Sequence, residues 1–286
     1  MSARKWGVLH PGAMGSSVVA CLAATGHEVL WCSAGRGSET RQRAHAAGAR
    51  DVPALDQLVA ESDVIVSVCP PGAAEAVARS VAGLGFDGCY VEANAIAPST
   101  ARTIAGVLAE AGATVVDGGI VGPPAWSPDT TRLFVSGPDH ELVAAALSGS
   151  PLEVVAIDGG VGSASALKVA YASWTKAVGA ALLAIRAYAD AEGVADVLLA
   201  EWSRSQPGTI ERSELTATAV GPKAWRFGDE LRQLALAMDD VGLPGGFQAA
   251  AAEIFDRLAP LKDTSEVHVD QVVTLLGGGG PGDGAR

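Results

Sequence analysis

Two groups of residues in this 286-residue chain have the types and spacing to do chemistry. The first follows the apolar stretch Trp6-Gly7-Val8-Leu9: His10-Pro11-Gly12-Ala13-Met14-Gly15, then a helix-like run from Ser16 to Ala24. Glycines so spaced, between a strand and a helix, let the backbone approach a pyrophosphate and set it on the helix N-terminus. The next strand, Glu28-Val29-Leu30-Trp31-Cys32, ends in Ser33-Ala34-Gly35-Arg36. An acid there would hold the ribose hydroxyls of NAD, whereas a serine and an arginine suit the extra phosphate of NADP. No acid lies between Glu28 and Glu39. The pattern therefore points to NADP, held by Gly12, Ala13, Met14, Gly15, Ser33 and Arg36. Read as G-x-G-x-x-G, the first glycine is replaced by His10, which requires a turn that histidine enters without positive φ. His10 either shapes that turn or touches the phosphates.

The second group centres on Lys168, early in a long stretch otherwise rich in apolar residues, with Tyr171 one turn on. A lysine presented to a bound substrate can exchange a proton with it; a lysine merely snorkelling from a helix flank cannot. Asn94 follows a strand end, where its amide could bond the nicotinamide ribose or the substrate, or serve as an ordinary turn asparagine. Pro70-Pro71-Gly72 closes another strand, and Gly118 to Pro124 form a further strand-end loop. Trp126 either walls the pocket or packs. Tyr171 with Lys176 has the wrong spacing for a tyrosine-x-x-x-lysine pair, and Gly162-Ser163-Ala164-Ser165-Ala166 lacks the second glycine of a nucleophile elbow.

These residues need a scaffold of alternating strands and helices. Val64–Val68, Cys89–Glu92, Thr114–Asp117, Leu133–Ser136 and Glu153–Ala156 read as further strands, with helices at 73–82 and from Pro98, the latter capped by Ser99 or Thr100. The pattern predicts an α/β fold: a Rossmann-like, doubly wound, mainly parallel sheet over residues 1–160. Beyond it, 161–276 carries no strand signal and reads as an all-α domain. There Leu167, Tyr171, Trp174, Val178, Leu182 and Ile185 mark the buried stripe of one long helix. Residues 277–286 are glycine-rich and read as a disordered tail.

Composition sets limits. The net charge of −12 argues against nucleic-acid or anionic-membrane partners, Arg36, Arg41 and Arg43 being a local exception. The four cysteines show no C-x-x-C pairing, and the histidines are scattered, so neither a disulfide framework nor a metal site is expected. A reducing cytoplasm is the expected compartment. The basic and apolar start does not read as an export signal, since His10, Pro11 and Gly12 interrupt it, and no stretch is long and apolar enough to span a membrane.

Taken together, Gly12-Ala13-Met14-Gly15, Val68-Cys69-Pro70-Pro71, Asn94 with Pro98, and Lys168 in Gly162-Ser-Ala-Ser-Ala-Leu-Lys168 resemble the β-hydroxyacid dehydrogenase and 6-phosphogluconate dehydrogenase superfamily. The stretch through Lys176 is similar to a subgroup of short NAD(P)-dependent oxidoreductases. The resemblance implies a Rossmann-like domain, a helical domain that forms a homodimer, a cleft between them for a small-molecule substrate, and hydride transfer with Lys168 as acid or base. By the same resemblance Pro70, Pro71 and Asn94 line the cofactor, while Asn94, Gly122, Lys168 and Tyr171 face the substrate. Two positions depart from the family: Ala172 stands where it has an asparagine, and Val121-Gly122-Pro123 where it has serine-glycine-glycine. Losing that serine weakens the case for an ordinary 3-hydroxy acid and opens aldehydes, ketones and imines. An imine reductase or a non-catalytic NADPH-binding protein are the alternatives.

Overall fold

The computed structural model of the protein describes residues 4–277, so all but the first residue of the expected tail lies outside the described residues. The chain divides into two compact units, Met1–Val169 and Ala170–Arg286.

In the first unit, β1 (Lys5–Leu9), α1 (Ala13–Ala24), β2 (Glu28–Cys32), α2 (Ser38–Ala46), β3 (Arg50–Val52), α3 (Leu55–Glu61) and β4 (Val64–Ser67) form the first half of the winding. A 3-10 turn, α4 (Ala74–Ala82), β5 (Cys89–Glu92), α5 (Pro98–Glu110), β6 (Thr114–Val121), β7 (Thr131–Ser136), α6 (His140–Ala146), β8 (Leu152–Ala156) and the start of α7 (Ser163–Ala172) follow. The strands make one sheet in the order β3-β2-β1-β4-β5-β6-β7-β8. It is parallel from β3 to β6; β7 then runs antiparallel to β6, and β8 parallel to β7. The winding reverses between β1 and β4, the place where an open α/β sheet leaves a crevice at its strand ends.

The alternation of side chains along buried strands builds a core on each face. Trp6, Val8, Val29, Trp31, Val64, Val66, Val91 and Val116 meet Val18, Val19 and Leu22 of α1 on one side. Leu9, Leu30, Ile65, Tyr90 and Val115 meet Leu58, Ala78, Val81, Ile104 and Leu108 on the other.

Several expectations are corrected. Gly118–Val121 are not loop: they extend β6 and pair with β7, leaving only Gly122 onward as the turn. The cap position of α5 is Ala97 and not Ser99 or Thr100, and Pro98, which needs no N–H partner, opens the helix. β3 escaped detection because this three-residue edge strand buries only Val52.

In the second unit, α7 runs into a π-helical turn, Ser173–Ala177, and then α8 (Val178–Ala191). The stripe expected to be buried is largely exposed: Leu167, Tyr171, Trp174 and Ile185 face solvent. The buried residues include Val169, Ala172, Ala177, Ala180, Leu183 and Ala187. Their spacing stretches to five between Ala172 and Ala177, because a π turn holds an extra residue and rotates everything after it. Small alanines, not large side chains, mark the inside. The unit continues with α9 (Ala195–Ser205), α10 (Thr209–Val220), a 3-10 segment (Gly221–Arg226), α11 (Phe227–Asp240), α12 (Gly246–Arg257) and α13 (Val269–Leu276). Pro222 lies at the start of that 3-10 segment. Lys176, in the π turn, pairs with Glu230 of α11 and lies 4.5 Å over the ring of Phe227.

Candidate active site

The turn between β1 and α1 is built around His10. Its φ is +62°, so histidine adopts the left-handed conformation that the first glycine of such a turn would take. The expectation of a turn without positive φ is thus overturned. The carbonyl of His10 accepts the N–H of Gly12 at 2.7 Å and closes the turn.

The two glycines have different physical roles. A Cβ on Gly15 would lie 2.7 Å from the His10 carbonyl oxygen, so glycine is required to fold the turn against α1. Gly12 has extended backbone, φ −70° and ψ −160°, and a Cβ there would find nothing nearer than the His10 oxygen at 4.0 Å. Neither strain nor protein packing requires glycine at this position. The position leaves room for a ligand to approach the main chain, and α1 leaves its first-turn N–H groups without a side-chain cap. Those are the features of a phosphate cradle.

Beyond β2, the N–H of Ser33 donates to Asp51 Oδ1 at 3.1 Å, and the carbonyl of Ser33 accepts the N–H of Arg36 at 3.1 Å. Arg41 Nε donates to the Arg36 carbonyl at 3.1 Å. Asp51 is an acid beside the loop that the linear sequence hides, because it arrives from β3. Arg43 pairs with Glu39 at 2.8 Å, and Arg50 with Glu28 and Glu61. Arg36 pairs with no carboxylate among the described residues. Its guanidinium instead donates to Nε2 of His10. The sequence thus placed His10 and Arg36 in separate motifs, and the fold joins them.

Pro70 and Pro71 follow β4 into a 3-10 turn, Pro70 exposed and Pro71 half-buried. Asn94 behaves differently from a free ligand-binding amide. Its Oδ1 accepts the N–H of Cys69 at 2.5 Å, and its Nδ2 donates to Ser67 Oγ at 3.0 Å and to Glu92. It braces the ends of β4 and β5. Glu92 is fully buried, and burial raises its pKa to about 8, the nearby Asp117 adding to the rise. Ala13, Ser16, Arg43, Ala46, Ala47 and Trp126 line a cavity of about 390 Å³ beside α1.

Lys168 lies in the first unit. Its Nζ donates to the carbonyl of Ile120, in β6, at 2.9 Å. A Cβ on Gly119 would sit 2.9 Å from the Ala164 oxygen and 3.0 Å from Lys168 Cβ, so glycine in β6 is what lets α7 come this close. The start of α7 is fixed by Asp117, a residue the sequence showed only as a strand residue. Its buried carboxylate accepts the N–H groups of Gly162 and Ser165, each at 2.9 Å. Gly122 has φ +124° and packs on Thr130 and Thr131, which makes it a turn residue in the β6–β7 connection. Tyr171 is exposed, and its carbonyl accepts the Thr175 hydroxyl at 3.1 Å.

Residues 5–147 match the family model of the NAD binding domain of 6-phosphogluconate dehydrogenase. The chain belongs to the family of the 6-phosphogluconate dehydrogenase NAD binding domain. Its first unit is therefore a nicotinamide-dinucleotide-binding domain. Residues 189–258 match a domain of unknown function (DUF1932). An uncharacterized 28.5 kDa protein in the 7S RNA 5′ region of Methanothermus fervidus is 31% identical over 173 residues, 60% of this chain and 66% of that protein. The match thus spans just under two thirds of that curated relative. The 3-hydroxyisobutyrate dehydrogenase of Mycobacterium tuberculosis superposes with a TM-score of 0.67 at 19% identity, over 96% of this chain and 99% of that one. A reductive aminase of Aspergillus terreus in complex with NADPH and ethyl levulinate gives a TM-score of 0.56 at 18% identity, over 95% and 99%. At these identities the likeness is one of fold. No cluster of His, Cys, Asp and Glu among the described residues could hold a metal, and the four cysteines are free. None of the described helices is long and apolar enough to cross a membrane.

Proposed function

We propose that this protein is an NADP-dependent oxidoreductase acting between a small carbonyl compound and its alcohol, with Lys168 as general acid and base. The observation that carries the reading is the pair of Gly12, whose missing Cβ leaves open space over an uncapped helix N-terminus, and Arg36, whose charge no carboxylate cancels. The first suits a pyrophosphate and the second a 2′-phosphate.

When bound, NADP(H) supplies or accepts the hydride. Gly12, Ala13, Met14 and Gly15 offer backbone N–H groups to its pyrophosphate, and Ser33 with Arg36 hold the adenosine phosphate. Pro70 and Pro71 contribute apolar surface at the strand end, and Asn94 keeps the β4 and β5 ends in register behind it. Lys168 holds a proton at Nζ and gives it to the substrate oxygen on reduction, or takes it back on oxidation. Tyr171 assists at the substrate. The Ile120 carbonyl supports this role by fixing the ammonium group in place.

A second reading, reduction of an imine, is favoured by Val121, which stands where a serine would bind a carboxylate and is buried at the end of β6. In that case Lys168 delivers the proton to nitrogen. We include in the proposal a homodimer through the helical unit, which would cover the exposed Ile185, Tyr188, Val194 and Val197. Cytoplasmic residence accords with the four free cysteines.

The test is a panel of aldehydes, ketones, 3-hydroxy acids and cyclic imines, with NADPH or NADP and the reduced nicotinamide followed by absorbance. Turnover of one substrate class, lost in Lys168→Ala, supports the reading. Tight NADPH binding without turnover across the panel turns it toward a non-catalytic binding protein.

A further inference from the structure

His10 is the one residue of the dinucleotide turn that a phosphate cradle does not call for. It occupies a left-handed conformation, φ +62°, that glycine adopts freely and histidine does not. What the turn gains is the ring's contact with Arg36 on the far side of β2. We propose that His10 is a specificity-determining positioning residue, which aims the Arg36 guanidinium at the adenosine 2′-phosphate from within the pyrophosphate turn. The proposal rests on the assignment of Arg36 to that phosphate.

The hydrogen bond fixes the chemistry of the ring. An arginine is a donor only, so Nε2 of His10 is the acceptor and the ring proton sits on Nδ1. Burial, reinforced by the Arg36 charge, lowers the His10 pKa to about 4, which keeps the ring a neutral acceptor at ordinary pH. Neutrality is the point. A carboxylate in this place would orient Arg36 equally well but cancel its charge and repel a phosphate. An imidazole orients the guanidinium and leaves the charge for the ligand. The main chain of Arg36 is fixed within its own loop, by Ser33 at 3.1 Å and Arg41 at 3.1 Å. His10 then removes the remaining freedom of a long side chain before the cofactor arrives, which is where preorganisation gains affinity. The Nδ1–H is buried and meets no acceptor among the described residues, so a nearby phosphate oxygen would satisfy a donor that the protein leaves unmatched.

Equilibrium titration of purified protein with NADPH, NADH and 2′,5′-ADP, followed by nucleotide or tryptophan fluorescence, tests this without any substrate. His10→Gly should fold with unchanged or higher Tm, because glycine suits the backbone there. It should lose about 5- to 20-fold in affinity for NADPH and 2′,5′-ADP, with NADH unchanged, as expected for one charged hydrogen bond. His10→Gln, which retains an acceptor, should recover part of that loss, and the double variant with Arg36→Ala should bind no more weakly than Arg36→Ala alone. If Arg36→Ala collapses the NADPH preference while His10→Gly leaves it intact, or weakens both dinucleotides equally, the proposal is overturned and the Arg36 assignment stands. If Arg36→Ala leaves the preference unchanged, that assignment itself fails. Should His10→Gly not fold, His10→Asn, which also tolerates positive φ, takes its place.

Discussion

Ser165 Oγ donates to Oδ1 of Asp117 at 2.5 Å, a contact that helps tie the helix carrying Lys168 to the central sheet. Asp117 acts as an N-cap supplied from another element: its other oxygen accepts the N–H groups of Gly162 and Ser165 and the hydroxyl of Ser136, at 2.9, 2.9 and 3.1 Å. Asp117→Ala leaves those buried donors unmatched, at a cost of about 1–3 kcal/mol. Urea unfolding should show the loss as a lower midpoint, and turnover should fall further than stability alone explains, because Lys168 starts one turn beyond the cap. A variant with wild-type stability would show that α7 is held elsewhere.

Lys168→Ala should lower kcat by about 10²- to 10⁴-fold, the usual contribution of a positioned general acid. NADPH affinity should stay near wild type, since the lysine is assigned to the substrate and not to the dinucleotide. Single-turnover rates measured with the substrate found in the panel decide it. Equal rates in the two proteins would reduce Lys168 to a tether on the Ile120 carbonyl.

Much of this was legible in the chain. A mainly parallel sheet follows from strands alternating with helices, and Gly12 and Gly15 mark the turn between β1 and α1. What escaped has physical reasons. Asp51 and Asp117 act across the fold, on partners 18 and 48 residues away, and spacing along a chain carries no trace of such contacts. The buried face of the long helix was misassigned because small alanines such as Ala172, Ala177 and Ala180 face inward while the larger Leu167, Tyr171 and Trp174 face out, so large apolar side chains mark the wrong stripe. At Asn94 the chain left a ligand-bonding amide and a turn asparagine both open, and its bonds to Ser67, Cys69 and Glu92 join residues from two strands whose pairing linear spacing does not show.

Glu92 gives the protein a pH signature. Its pKa rises from 4.5 in an open chain to about 8 in the fold, mainly because it is buried. Between those values the unfolded chain releases a proton that the folded protein keeps, so stability falls as pH rises. The contribution is complete below about pH 4.5 and is lost as pH climbs through about 8. Glu92→Gln, a neutral group of similar shape, should flatten that slope. Denaturant midpoints at a series of pH values from acid to mildly alkaline provide the measurement. An unchanged slope in the variant would assign the dependence to other groups.

Gly12→Ala and Gly15→Ala form a matched pair, because the same methyl group meets different surroundings. At Gly15 it lands 2.7 Å from the His10 carbonyl oxygen, a main-chain atom that cannot swing aside, so the turn must deform. Gly15→Ala should therefore cost about 1–3 kcal/mol of stability, as overpacking does. At Gly12 the methyl group meets nothing nearer than 4.0 Å, and the backbone angles suit alanine. Gly12→Ala should keep a Tm close to wild type, or slightly above it from the stiffer unfolded chain. Its cost appears only when a dinucleotide binds, since the methyl group then occupies the space over the α1 N-terminus. Affinity for NADPH and NADH should drop together, by about tenfold or more, because both share the pyrophosphate. That equal loss separates the cradle from Arg36, whose removal should weaken NADPH alone. A Gly12→Ala protein that binds both cofactors normally would move the phosphate site away from this turn.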